Sequence, residues 1–391
     1  MTLPPLPQPR YIGFWPEPGD PIPDDITREP VVAVADDGGL ARGVLWAPPR
    51  PWRTAVVLTH PRADFSIHYA CPFLAAAGYG VLGFATRYVN NDTDCLHELA
   101  IRDVAAMVAE VRRRGAEHVI LLGNSGGGSL MCLAQAHTDP PLGDGFVALA
   151  AHPGEGRFML QVIDPSVTDE ADPLSVDPAL DMYDAANGWR PWPEPSAYDR
   201  GWLGEYRAAQ EARVERIDER ARAAMAERDV SLDGLDHGSM AWNRQLRLAS
   251  LGRYLVTYRT LADPAYLDPT IDPDDRPLGT IFAPFGDPLI SNYAWYGLGR
   301  TMTPRGWLST WSGLSSSAEV AQTIGAVTVP TLVVHPTADT EIRVHQARGI
   351  HAAAGAVDKS YVEVAGASHY FKGRRSETMG IVSDWLDARW G

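Results

Sequence analysis

The feature of this chain that most constrains its fold is an alternation of short, wholly apolar runs with longer helical segments. Apolar strands joined by crossover helices are typical of a parallel sheet that is buried on both faces. The predicted strands are 55–59, 80–85, 118–122 and 146–151, and the predicted helices between them are 69–77, 96–114 and 125–136. We therefore predict a mostly parallel, doubly wound α/β sheet that begins near residue 55.

Two further β-rich runs precede this alternation. Residues 31–35 and 40–47 are separated by Asp36-Asp37-Gly38-Gly39, a strong turn signal between antiparallel strands. Before them, residues 1–29 are predicted to form a proline-rich arm, because many prolines in this stretch prevent a helix or a central strand. Contact in a homodimer is one candidate use for the arm.

The alternation stops at Ala151 and resumes at residues 331–335. The interruption is far longer than a connecting loop requires. We predict a mainly helical cap at 152–325, inserted after strand 6, and a core formed by 30–151 and 326–391. The cap includes helical stretches at 205–228 and 239–261, and the resumed core has predicted helices at 342–354 and 375–389 around a strand at 360–364.

Composition excludes several classes of protein. Hydrophobic residues make up 45% of the chain, which supplies a buried core, and the formal net charge is −15. Because Lys and Arg form no run that could neutralise several phosphates, we expect no nucleic-acid or membrane partner, only a small-molecule substrate. Three cysteines without regular spacing, no leader pattern and no long apolar run predict a cytoplasmic protein.

The string HVILLGNSGGGSL at 118–130 joins an apolar strand to a helix through a glycine-rich turn. It contains G-x-S-x-G around Ser125 in the strand, turn, helix context of a nucleophile elbow. A bare motif of this kind also occurs by chance as a simple turn. Phosphate binding is the other reading, but no Lys follows the glycines and the Walker spacing is absent.

A serine nucleophile needs a base and a third group that orients the base. Predicted strand 331–335 runs into Asp339, and predicted strand 360–364 runs into His369. Both residues then lie at the carboxyl ends of parallel strands, where such sheets present their sites. The order Ser125, Asp339, His369 is the one that an elbow-type nucleophile requires, so we predict a catalytic triad.

An acyl-transfer site also needs donors for an oxyanion. The amide of Gly126 opens the helix after the nucleophile and is one predicted donor. The second is expected from the loop after strand 55–59, where Pro61 has no N–H. We assign it to the amide of Arg62, with Ala63 as the fallback, and we expect His60 to order this loop by hydrogen bonding.

These residues resemble the α/β-hydrolase superfamily over about 30–151 and 326–391. The strings that carry the resemblance are HPRADF at 60–65, GNSGGG at 123–128, VVHPTADTEI at 333–342 and GASHYF at 366–371. The resemblance implies the α/β-hydrolase fold, the same three triad roles, and substrate selection by the cap. The chain departs from many members in having Pro61 where they have glycine, and its long insertion matches no subfamily that we recognise.

The leading hypothesis is hydrolysis of a carboxylic ester or lactone through an acyl-enzyme on Ser125. Aromatic residues in the insertion favour a bulky apolar or aromatic substrate group. The candidate pocket residues are His60, Ala63, Asp64, His152, Trp295, Trp307 and Trp311. Carbon–carbon cleavage of a vinylogous diketone, amide hydrolysis, acyl transfer and a non-catalytic ligand-binding role stay open. No cofactor is expected, and no metal either, since HExxH spacing is absent.

Overall fold

The computed structural model describes residues 15–16, 20, 23–91, 93–283, 286–295 and 297–391. Within these ranges the chain forms an eight-stranded sheet in the order β1-β2-β4-β3-β5-β6-β9-β10 and a two-stranded ribbon, β7-β8. The strands are β1 Thr27–Val34, β2 Leu40–Ala47, β3 Thr54–His60, β4 Gly80–Ala85, β5 His118–Ser125, β6 Gly145–Ala151, β7 Leu255–Val256, β8 Thr301–Met302, β9 Thr331–Pro336 and β10 Lys359–Val364.

Helices cover both faces of the large sheet and fill part of the long insertion. In chain order they are α1 Ala70–Ala77, α2 His97–Arg113, α3 Gly126–Ala136, α4 Glu155–Val162, α5 Arg200–Ala226, α6 Met240–Ser250, α7 Pro288–Tyr293, α8 Pro304–Gly306, α9 Val320–Thr323, α10 Val344–Ala353 and α11 Arg375–Trp390. None of these described helices has both the length and the apolar character that a bilayer crossing requires.

The pairing of the strands confirms the predicted sheet. β2 runs antiparallel to β1 and β4, whereas β4-β3-β5-β6-β9-β10 is parallel throughout. Every residue of β3, β4 and β6 is buried, as expected for central strands that helices cover on both faces. One apolar cluster packs α2 and α3 against the sheet, and a second packs α1 and α11 against the opposite face.

Several boundaries differ from the sequence prediction. The helical stretch predicted at 239–261 was wrong in its second half, because α6 ends at Ser250 and β7 follows at Leu255–Val256. β1 begins at Thr27, which pairs with Ala47, so the last residues of the predicted arm belong to the sheet. Most of the arm lies outside the described residues. β5 continues to Ser125 rather than ending at Leu122, because the backbone still pairs with β6 through the turn.

The segment between β6 and β9, residues 152–330, is called the insertion below. It has apolar clusters of its own, one of which joins α4 and α5 to Trp307 and Trp311. It also contacts loops at the carboxyl end of the sheet. The Tyr266 hydroxyl donates to Glu341 Oε2 over 2.7 Å, and the amide of His97 donates to Ser309 Oγ over 2.9 Å. The insertion is therefore packed against the edge where the predicted site residues lie.

Candidate active site

Ser125 ends β5 in a strained backbone conformation. Its φ of 54° and ψ of −130° lie in a region that non-glycine residues rarely adopt. The turn is tight, since a Cβ on Gly123 would lie 2.4 Å from the carbonyl oxygen of Gly127. Glycine on both sides of Ser125 therefore allows the sharp strand-to-helix turn, and α3 begins directly after the serine.

The three predicted triad residues meet at the carboxyl end of the sheet. Ser125 Oγ lies 3.0 Å from His369 Nε2, and His369 Nδ1 lies 2.6 Å from Asp339 Oδ2. The other carboxylate oxygen, Asp339 Oδ1, accepts the amides of Glu341 and Ile342 at 2.8 and 3.1 Å. Each group is thus within hydrogen-bond reach of its neighbour, and the loop holds the carboxylate in place.

Electrostatics favour the protonation states that a general base requires. Burial alone would lower the pKa of His369, but the charge of Asp339 and its hydrogen bond raise that pKa above its ordinary value. Burial opposes ionisation of Asp339, yet His369 and the loop amides hold the pKa of that carboxyl below its ordinary value. An ionised Asp339 would stabilise an imidazolium at His369.

The raised pKa of His369 predicts a pH dependence. If Ser125 is a nucleophile, His369 can take its proton only while the imidazole is neutral, so kcat/KM should fall as pH falls through the pKa of His369 in the free enzyme. Because that pKa lies above the ordinary value of 6.5, we expect the acidic limb above pH 6.5. A pH profile with a chromogenic substrate measures it. A limb clearly below pH 6.5 would contradict the coupling to Asp339.

The side chain of His60 makes hydrogen bonds to the loop after β3, as the sequence analysis expected. His60 Nδ1 accepts the backbone N–H groups of Arg62 at 3.3 Å and Ala63 at 3.2 Å. Both amides therefore point at the imidazole in this structure. The assignment of Arg62 or Ala63 as the second oxyanion donor stays a prediction, and this geometry does not favour it.

Two other candidate pocket residues from the sequence differ in placement. His152 is buried, its backbone N–H donates to the carbonyl of Ser125 over 2.9 Å, and its ring lies 6.3 Å from that of His369. Burial lowers its pKa to about 3, so the imidazole is neutral. Asp64 is half-buried, and its carboxylate accepts the amide of Ser66 over 2.8 Å, which is a local turn contact.

The three candidate tryptophans have different environments. Trp311 is buried, and the guanidinium of Arg62 lies 5.0 Å from its ring centroid, so Trp311 contacts the loop after β3. Trp307 is also buried, but its indole N–H donates to Asp218 Oδ1 over 2.7 Å within the insertion. Trp295 instead exposes 72% of its surface. Of the three, only Trp311 is placed beside a predicted site residue.

Sequence reasoning missed Glu155, the first residue of α4. It is buried, and its Oε1 atom lies 3.7 Å from both His60 Nε2 and Arg62 Nε. The same oxygen would lie 2.3 Å from a Cβ on Gly126. Glu155 follows β6 by four residues. Residues just past a parallel strand tend to lie near the site, and this rule, which applies to His152, also applies to Glu155.

Among the described residues, no group of three or more His, Cys, Asp or Glu side chains is placed to hold a metal ion. The three cysteines are buried thiols. The chemistry described below uses the side chains of the triad and nearby donors.

Neither a sequence-family model nor a curated protein matches this chain. Several solved structures do match it. Hypothetical protein PA2218 from Pseudomonas aeruginosa is 14% identical with a TM-score of 0.54, covering 94% of this chain and 95% of its own. DcsB, solved with a substrate analogue, is 12% identical with a TM-score of 0.53, covering 93% and 99%.

A third similar structure is that of a protein described as an α/β hydrolase. The α/β hydrolase GrgF from Penicillium sp. sh18 is 13% identical with a TM-score of 0.52, covering 92% of this chain and 97% of its own. Likeness at this identity shows the fold rather than the activity. The chain therefore has the α/β-hydrolase fold, as the sequence predicted.

Proposed function

We propose that this protein is a serine hydrolase that cleaves a carboxylic ester or lactone through an acyl-enzyme on Ser125. One observation carries the proposal: the chain of contacts from Ser125 Oγ to His369 Nε2 and from His369 Nδ1 to Asp339. This arrangement lets a neutral imidazole take the serine proton as the hydroxyl attacks a carbonyl. The α/β-hydrolase fold supports the proposal only as an analogy.

The proposed reaction has two halves. In the first, Ser125 Oγ bonds to the substrate carbonyl carbon, His369 takes the hydroxyl proton, and the amide of Gly126 stabilises the oxyanion. His369 then protonates the leaving alcohol as the carbon–oxygen bond breaks. In the second half, His369 removes a proton from water as the water oxygen attacks the acyl carbon, and it returns that proton to Ser125 Oγ as the bond between Oγ and the acyl carbon breaks and the acid leaves.

The insertion is proposed to act as a cap that selects an apolar or aromatic substrate group. Phe158 of α4 packs on the ring of His152 at 4.8 Å between centroids, and Phe282 lies 6.0 Å from Phe158. His152 in turn lies beside His369. Packed rings therefore extend from the triad into the insertion, and the bulky apolar group of the substrate is proposed to lie against them.

Aryl esters and vinylogous diketones distinguish the two main reactions. We expect p-nitrophenyl acetate and phenylacetate to be hydrolysed, with release of the phenolate measured by absorbance, because the triad is complete. A vinylogous diketone should be left intact, as monitored by loss of its own absorbance. Diketone cleavage without ester hydrolysis would overturn the proposal in favour of carbon–carbon hydrolysis.

A further inference from the structure

The side chain of His60 is held in one tautomer by its own loop. Its Nδ1 atom accepts two backbone N–H groups, from Arg62 and Ala63, so Nδ1 carries no proton. Burial and the nearby charge of Arg62 hold the pKa of His60 well below its ordinary value, so the ring is neutral. A neutral imidazole without a proton on Nδ1 carries it on Nε2, as a donor.

This Nε2–H donor lies beside the first residue of α3. A Cβ built on Gly126 would be 2.8 Å from His60 Nε2. Because a Cβ is about 2.5 Å from the amide nitrogen of its own residue, the Nε2 atom is at most about 5.3 Å from the Gly126 amide nitrogen. Two donors at that separation can each lie about 2.9 Å from one shared oxygen.

Glu155 is the other charged group next to this position. Its Oε1 atom is 3.7 Å from His60 Nε2, which is longer than a hydrogen bond, and the same distance from Arg62 Nε. The guanidinium of Arg62 therefore offsets the carboxylate charge near the space that an oxyanion would occupy. The Nε2 atom itself lies beside Gly126.

We infer that His60 is a catalytic residue whose Nε2–H supplies the second oxyanion donor, alongside the amide of Gly126. The inference rests on the proposed hydrolase function. It replaces a loop amide with a side chain, which fits a loop in which Pro61 has no N–H and the next two amides are bound to His60 itself. A neutral, buried donor fixed before the reaction stabilises developing charge without reorganisation.

Two substitutions separate this role from loop ordering. In His60→Asn, the amide oxygen can take the place of Nδ1 and accept the loop amides, but the distal donor is lost. In His60→Gln, the side chain can reach the Nε2 position and donate there, but the Nδ1 acceptor is lost. The inference predicts that the Gln variant is the more active, whereas a purely structural role predicts the opposite order.

Kinetics with p-nitrophenyl acetate measure the difference. We expect His60→Asn to lower kcat about 100-fold or more with little change in KM, and His60→Gln to stay within about tenfold of wild type. The affinity for a trifluoromethyl ketone, which forms a tetrahedral adduct, should fall in parallel with kcat/KM in the Asn variant. Thermal melting of both variants verifies that each is folded.

The outcomes are distinct. If wild type hydrolyses no ester and reacts with no fluorophosphonate, the proposed function fails and the role of His60 fails with it. If wild type is active but His60→Asn matches it, or if the Asn variant equals or exceeds the Gln variant, only the His60 inference is overturned. A larger loss in Asn than in Gln, confined to kcat, supports it.

Discussion

Replacing Ser125 by alanine is expected to lower kcat for ester hydrolysis about 10⁶-fold. Removing the nucleophile of a serine triad costs about as much as removing the whole triad, because the remaining groups have nothing to activate. The substitution deletes only one oxygen, which lies 3.0 Å from His369 Nε2, so the fold should persist. Stopped assays at high enzyme concentration measure the residual rate, and a fluorophosphonate probe measures labelling of the serine.

A distant serine provides the matched control. Ser383 lies in α11, where its hydroxyl donates to the carbonyl of Gly380 over 3.0 Å. Ser383→Ala should keep wild-type activity and labelling, since the helix can lose this local contact at small cost. Equal labelling of Ser125→Ala and wild type would show that another residue is the nucleophile. Failure of wild type to label would favour a ligand-binding role instead.

The core of the fold was predictable because its residues repeat a simple pattern. The bounds of β2 and β4 agree with the sequence prediction residue for residue. Central strands of a parallel sheet are buried on both faces, so their sequences are continuously apolar and their ends are marked by polar or glycine residues. The insertion lacks this regularity, and its short turns around α7 and α8 had no pattern that would predict them.

The proximity of Ser125, Asp339 and His369 was predictable for a topological reason. Residues that follow parallel strands meet at the same edge of the sheet, whatever their separation along the chain. Ser125 and His369 are far apart in sequence, yet Ser125 ends the mostly apolar strand β5, and His369 follows β10, whose sequence KSYVEV mixes polar and apolar residues. The sequence order therefore carried enough information to place them together.

The surroundings of the triad were less predictable, because they depend on where single side chains point. The sequence placed His60 and Arg62 in the correct loop, but the direction of the Arg62 amide depends on backbone dihedrals that no pattern encodes. Tryptophan content predicted an apolar insertion without showing which rings face the site. Trp295 and Trp311 both contribute to the tryptophan content of the insertion, yet Trp295 is exposed and Trp311 is buried.

Glu155 shows how the insertion contributes to the electrostatics of the core. It opens α4 directly after the last core strand before the insertion, and its carboxylate lies between the loop after β3 and the start of α3. Its carboxylate lies beside the proposed oxyanion position and close to the guanidinium of Arg62. The insertion thus places an acidic side chain next to the proposed reacting centre.

Replacing Asp339 by asparagine is expected to lower kcat about 10⁴-fold with KM nearly unchanged. In this structure Asp339 Oδ2 faces His369 Nδ1, while Oδ1 accepts two loop amides. An asparagine can keep its oxygen toward the loop, which then turns its NH₂ group toward His369. The imidazole must accept that hydrogen bond on Nδ1, so its proton moves to Nε2, where it can no longer take the proton of Ser125.

Asp339→Ala separates this tautomer effect from loop disorder. The alanine variant loses the acceptor for the amides of Glu341 and Ile342 as well as the contact with His369, so it should melt at a lower temperature than wild type. Asp339→Asn should melt close to wild type while losing nearly as much activity. The acidic limb of its residual kcat/KM should also move to lower pH, because the group that raises the pKa of His369 has lost its charge. An asparagine variant that keeps wild-type kcat would show that another residue orients His369.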